Sequence, residues 1–356
     1  MPVVSLTSAE SVANYAPADR LKPVRIWLYI VALMVLAMVV VGGITRLTHS
    51  GLSITEWEPI SGAIPPLNAA DWQAEFEHYQ QIPQYKLLNL GMSLDDFRFI
   101  FWWEWAHRFL ARVIGFVFAV PFLVFLAQRR FSWKLAGPLA LLFVMGGLQG
   151  AIGWWMVSSG LENLTSVSQY RLATHLGAAL LLFLALIWVA RRLGASHPIP
   201  ADAQRGPVIL LLVLVYIQII AGAFVAGLDA GQGYNTWPLM DGSLVPDGLN
   251  AMDPWWKNIF ENALTVQFIH RTIAYVIVLY VAALFIWKRG ADSFAGVNGW
   301  LPRIGLLILL QACLGIATLV NAVPLWLALG HQSLAFMLAG ATMAWLADIT
   351  PRQATA

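Results

Sequence analysis

Uninterrupted apolar runs of about twenty residues recur along this chain of 356 residues, and a run of that length fits one structure above all, a helix through a lipid bilayer. At 1.5 Å per residue, about twenty residues cross the roughly 30 Å hydrocarbon core. Eight such spans can be drawn, at 25–45, 97–128, 134–157, 170–192, 206–228, 261–288, 300–321 and 325–347. Only 11% of the residues are charged, against roughly a quarter in a soluble domain, and those few cluster between the spans. The chain reads as an all-α membrane protein, with membrane lipid around it.

Arg129, Arg130 and Lys134 occupy one short loop, Arg191, Arg192 and Arg205 a second, and Lys288, Arg289 and Arg303 a third, while Arg20, Lys22 and Arg25 stand at the N-terminal end. The alternate loops are acidic. One holds Glu56, Glu58, Asp71, Glu75, Glu77, Asp95 and Asp96, and another Asp229, Asp241, Asp247 and Asp253. The positive-inside rule puts both termini in the cytoplasm and the acidic loops in the periplasm. The first 24 residues are polar and contain proline. Lacking an apolar core or an arginine-rich amphipathic pattern, they read as a cytoplasmic tail rather than a cleaved signal or transit peptide, and a bacterial inner membrane is the expected location. The net charge of +2 comes with no basic stripe, so nucleic acid is not an expected partner. Cys313 is the one cysteine. That excludes an internal disulfide, a Cys-x-x-Cys metal clip and covalent haem attachment through Cys-x-x-Cys-His.

The two halves resemble each other. GGITRLTHSGLSITEWEPISG at 42–62 parallels GAFVAGLDAGQGYNTWPLMDG at 222–242, with Gly51 matching Gly231 and Trp57 matching Trp237. Glu104-Trp-Ala-His107-Arg108 parallels Gln267-Phe-Ile-His270-Arg271, Gln149 and Gly153 parallel Gln311 and Gly315, and His175 and His331 close the halves. Both halves start from the same side. The expected fold is eight transmembrane helices as two tandem pseudo-symmetric four-helix bundles, a parallel duplication unlike the inverted repeats of many transporters. The expected layout is a cytoplasmic tail at 1–24, an N-terminal half at 25–193 with a long periplasmic loop at 46–96, a C-terminal half at 206–347 and a second cytoplasmic tail at 348–356. Within the first acidic loop, Asn68 can cap a short helix showing Trp72, Phe76 and Tyr79 on one side, a flap on the membrane surface. Ser93 with Asp96, and Asp253 with Pro254, read as the starts of spans two and six, with Trp102, Trp103, Trp105, Trp255 and Trp256 near the interface.

Four histidines carry the chemistry. His107, His175, His270 and His331 stand near the periplasmic starts of the even-numbered spans, at matching depth in both repeats. A single membrane histidine can simply hydrogen-bond a carbonyl. Four in this pattern point to metal ligation, and two helices that each aim an imidazole inward can hold one haem iron between them. Two repeats make two such sites. His49, His78 and His197 lie in loops, where water is their expected partner, although His49 sits at the mouth of the first site.

Arg108 and Arg271 directly follow His107 and His270, and Arg171 lies one turn before His175. These guanidinium groups either hold the propionates of a haem near the periplasmic surface or snorkel to the interface. Glu104 lies three residues before His107 on the same helix face, and its counterpart Gln267 cannot ionise. A carboxylate at that depth is either functional or solvated by the loop. On the functional reading the N-terminal half does chemistry and the C-terminal half serves a task such as electron transfer. Gly146, Gly147, Gly150 and Gly153, with Gly177, Ala178 and Ala179, suit close helix packing and a flat macrocycle equally.

In combination these motifs closely resemble the heme A synthase family, in its alphaproteobacterial and mitochondrial variant, over residues 25–347. The resemblance implies an oxidoreductase acting on a CH3 group, which oxidises a ring methyl of haem O to the formyl group of haem A, the cofactor of cytochrome c oxidase. It implies that His270 and His331 are the iron ligands of a non-covalent haem b in the C-terminal half, through which electrons pass. It also implies a catalytic set of Glu104, His107 and His175, with the two histidines facing the iron of the substrate haem. Two successive methyl oxidations would give an alcohol and then a hydrated aldehyde that loses water. Haem O is the implied substrate, haem O synthase and cytochrome c oxidase assembly factors are candidate partners, and a homo-oligomer is left open. Some bacterial relatives carry a cysteine pair in the first periplasmic loop, and this chain has none. The chief rival is a bis-histidine dihaem electron-transfer cytochrome without methyl chemistry, followed by a haem-handling assembly protein. A transporter is disfavoured, since no broken-helix pair marks midplane depth.

Overall fold

The computed structural model describes residues 17–162, 164–194, 202–288 and 299–351. Eight helices among them are long and apolar enough to cross a membrane, as the apolar runs predict. Helix α1 (Pro17–Leu47) leads into a loop carrying the short helices α2 (Ala69–Tyr79) and α3 (Pro83–Leu88), followed by α4 (Leu94–Ala127), α5 (Trp133–Glu162) and α6 (Gln169–Arg192). The second half repeats the order with α7 (Asp202–Gly227), the single turn α8 (Ala230–Gly233), α9 (Ala263–Lys288), α10 (Trp300–Val320) and α11 (Leu325–Ile349).

The packing repeats as well. Helix α1 packs on α4 and α6, and α5 packs on the same two; α7 packs on α9 and α11, and so does α10. Replacing α1, α4, α5 and α6 by α7, α9, α10 and α11 maps one set of contacts onto the other. The halves meet through α1, α6, α7 and α11. At that seam Phe183 of α6 lies 5.8 Å from Phe336 of α11, ring centre to ring centre, within a core that fully buries Leu180, Leu186, Phe336 and Trp345. The outer faces show Leu33, Phe116, Leu279, Ile286 and Leu309, apolar side chains that belong against lipid. Helix α4 contains Pro121, whose ring leaves the Val117 carbonyl without its helical donor. Trp27 of α1 supplies one, its Nε1 donating to that carbonyl at 2.8 Å.

Helix ends depart from expectation in three places. Residues 17–24, expected as tail, are already helix, since proline suits a first turn and Arg20 donates to the Arg129 carbonyl. Residues 1–16 and 352–356, with His197 and Arg289, lie outside the described residues. Helix α11 continues past 347 to Ile349 because Asp348 is held from two sides. Arg191 of α6 donates to its two oxygens at 2.6 Å each, and Trp300 of α10 donates at 3.1 Å. Finally, Asp253-Pro254 does not start α9. Pro254 opens a 3-10 turn at Trp255–Ile259, and Asn262 caps the helix instead, accepting from Leu264 and Thr265 N–H. Buried Asn258 decides the matter by bonding Met252, Trp255 and Asn262 and so fixing the loop short of the helix.

The other two caps form as read. Asn68 accepts from Asp71 N–H at 2.9 Å, and Ser93 with Asp96 makes a full capping box. Trp72, Phe76 and Tyr79 of α2 are buried, but against Phe97, Ile100 and Phe101 at the start of α4. The flap is thus packed onto a helix of its own chain.

Candidate functional site

Each of the four histidines sits on a spanning helix and lies against a glycine of a neighbouring one. A Cβ at Gly42 of α1 would stand 3.5 Å from His107 Nε2, and one at Gly153 of α5 would stand 3.2 Å from His175 Cε1. In the second half, a Cβ at Gly222 of α7 would meet His270 Cε1 at 3.1 Å, and one at Gly315 of α10 would meet His331 Cε1 at 2.7 Å. The last distance is below any real Cβ contact, so only glycine lets α10 and the ring lie so close. At Gly315, and more mildly at Gly222 and Gly153, the missing side chain therefore seats an imidazole between helices, while the Gly42 contact is an ordinary one.

The C-terminal pair is brought together edge to face. The His270 and His331 ring centres are 6.4 Å apart, with their planes at 81°. That separation suits two metal–imidazole bonds of about 2.0–2.1 Å on opposite sides of one ion, once the depth of each ring is added. Amides hold the rings from behind. Gln311 Nε2 lies 3.1 Å from His331 Nδ1, and Gln218 Nε2 lies 3.3 Å from His270 Nε2. The remaining ring nitrogen of His270 is buried without a partner, as are Gln218 Oε1 and Gln311 Oε1. Turning the Gln218 amide by 180° would offer its oxygen to a His270 ring N–H and leave the opposite nitrogen free to ligate. Gln311 Nε2, in contrast, also donates to the His331 carbonyl at 3.0 Å, which holds that amide as it stands. The pair fits a haem iron.

In the N-terminal half His107 lies on α4 and His175 on α6, two helices that both pack on α1 and α5. Gln149 repeats the role of Gln311, reaching His175 Nδ1 and the His175 carbonyl at 3.3 Å each when its amide is turned.

Glu104 is 2% exposed, so the loop does not solvate it. Its Oε2 accepts from Ser53 Oγ at 2.8 Å and Ile54 N–H at 2.9 Å, and its Oε1 accepts from Arg108 Nη2 at 2.7 Å and Nε at 3.2 Å. Arg108 also donates to the Ile54 and Glu56 carbonyls, at 2.8 and 2.9 Å. Four of its five N–H donors are thereby committed, and they tie the first loop to Glu104. Its counterpart Arg271 donates to the Pro238 carbonyl at 3.0 Å and keeps a buried Nη1 without a partner. Arg171 lies over the Trp155 ring at 4.8 Å and donates to Ser158 Oγ and the Trp155 carbonyl. Gln267 is as buried as Glu104, yet its Oε1 finds no partner.

Beyond Arg108, a cavity of about 350 Å³ opens between the first loop and α4, with Glu58, Asp71, Glu75, Arg108 and Arg112 in its walls. Burial there raises the Glu75 carboxyl above its ordinary range, with nearby His78 pulling it down. His49 and His78 are exposed. Ser53, Ile54 and Gln218 were not evident from the sequence. The first two act across the loop, and the third is signalled only by a lone amide in an apolar run, one turn before Gly222.

The family model COX15-CtaA, described as a cytochrome oxidase assembly protein, matches residues 25–343. Three curated proteins named heme A synthase illustrate the relatives. The chain is 52% identical to one from Allorhizobium ampelinum over 329 residues, covering 91% of this chain and 90% of the relative. It is 51% identical to one from Rhizobium rhizogenes over 348 residues, covering 97% and 95%. It is 52% identical to one from Parvibaculum lavamentivorans over 316 residues, covering 88% and 90%.

Proposed function

The chain belongs to the COX15-CtaA family of cytochrome oxidase assembly proteins, and on that footing we propose that it acts as a heme A synthase, turning haem O into haem A. The chemistry is oxidation of a ring methyl to a formyl group by two successive steps. One observation carries the division of labour. Two repeated histidine pockets differ at the residue three before the first histidine, where Glu104 stands against Gln267.

His270 and His331 hold haem b, and the 6.4 Å ring separation supports this. When bound, that group supplies reversible one-electron chemistry. The spare Nη1 of Arg271 suits a propionate. In the other pocket His107 and His175 face the iron of the substrate haem. Glu104 acts electrostatically, favouring positive charge that develops at the methyl carbon in a site closed to water. Its four donors favour this over proton acceptance, since a proton would have to displace one of them.

The basic loops face the cytoplasm together with both termini, and the haem sites lie toward the periplasm of a bacterial inner membrane. Haem O synthase and cytochrome c oxidase assembly factors are the natural partners of such an activity. Glu104→Gln keeps the shape and removes the charge. It should leave the haem b spectrum intact while haem A formation stops. Normal haem A yield from that variant would sink the assignment.

A further inference from the structure

We propose that Ser53 is a positioning residue for the reaction, acting through the Glu104 carboxylate; the proposal rests on the reading of Glu104 given above. The last torsion of a glutamate side chain is broad, so its donors decide how the carboxylate plane lies. Ser53 is fully buried in the loop after α1, and its hydroxyl donates to Glu104 Oε2 at 2.8 Å. With Ile54 N–H at 2.9 Å it fixes one oxygen while Arg108 fixes the other.

The repeat supplies an internal comparison. With Gly51 matched to Gly231, Ser53 falls on Gly233, just as Glu104 falls on Gln267. Donor and acceptor are replaced together, and in the half without the hydroxyl Gln267 Oε1 is buried without a partner. The hydroxyl accompanies the carboxylate, not the fold that both halves share. The hydroxyl also lies 3.4 Å from the Ile100 carbonyl, but the loop has other ties. Ser53 N–H donates to the Ser50 carbonyl at 3.2 Å, and Arg108 grips the Ile54 and Glu56 carbonyls.

The test uses the full-length protein in membranes of a host that makes haem O, comparing wild type, Ser53→Ala and Ser53→Thr. Bound haem O, haem b absorbance, thermal stability and the yields of alcohol and haem A are read for each. Ser53→Ala should keep its haem O, haem b and melting temperature while conversion falls about 10–100-fold, the usual cost of losing a group that orients a reactive one. Ser53→Thr, which restores a hydroxyl, should recover most of it. Full conversion by Ser53→Ala overturns the proposal, and so does a threonine variant no better than alanine. Loss of haem O or of melting temperature in step with activity would make Ser53 merely structural and overturn it too. A wild type that forms no haem A overturns the underlying reading instead.

Discussion

At the scale of single residues, the polar groups around the histidines follow one logic. A buried imidazole binds metal well when its far nitrogen is held by an oxygen, which orients the ring and raises its basicity. Each far nitrogen faces a side-chain amide, Gln311 for His331, Gln149 for His175 and Gln218 for His270. Of these, Gln218 can turn its oxygen to the ring without giving up another bond. Gln218→Leu keeps the volume and removes the amide beside His270. Haem b in that variant should titrate at a higher potential than in wild type, because a less basic ligand favours the ferric state less. Potentiometric titration of the haem b bands checks this, and an unchanged potential would contradict it. Gln149 and Gln311 were legible in the sequence because the two halves share them. Gln218 was not, since the matching residue is Met38 and a repeat reveals only what both copies keep. Glu104 was legible by type and position, but its saturation was not. Ser53 and Ile54 are 51 and 50 residues away along the chain, beyond any local pattern.

At the scale of helices, the glycines set how closely each pair approaches. A Cβ at Gly315 would stand 2.7 Å from a rigid imidazole, whereas one at Gly42 would stand 3.5 Å from His107. Gly315→Ala must push α10 from α11 or turn His331, an overpacking that costs about 1–3 kcal/mol. It should lower haem b content severalfold as well as the melting temperature. Gly42→Ala adds an ordinary contact and should leave both near wild type. Haem b absorbance per protein separates the two variants, and equal behaviour would contradict the packing account. Helix starts show which local signals suffice. Asn68 and Ser93 each satisfied a nearby N–H, so sequence and structure agree. Asp253-Pro254 and Asn262 both carry start signals, and the choice fell to Asn262 through buried Asn258, a partner no local window weighs.

At the scale of the whole molecule, eight apolar runs and one duplication made the architecture readable, because bilayer thickness fixes helix length and the repeat fixes the order. How the halves join was not readable. Arg46, at the end of α1, binds Asp229 at 2.9 Å and also donates to the carbonyl of Ala226, the residue that matches it in the repeat. Gln332 of α11 donates to the Val39 carbonyl of α1 at 2.8 Å. Such bonds lie across the pseudo-symmetric seam, where hydrophobic periodicity is silent. They place the histidine pockets of both halves in one framework, as the proposed pairing of a redox centre with a reaction site requires. The most direct test is chromatography of the haems extracted from purified wild type, His331→Ala and Glu104→Gln, each expressed where haem O is supplied. Wild type should yield haem B together with haem O and haem A. His331→Ala should lose the haem B, and Glu104→Gln should hold haem B and haem O without haem A. Haem B alone in wild type, in two equivalents unaffected by Glu104→Gln, would contradict the account and mark the protein as a dihaem electron carrier.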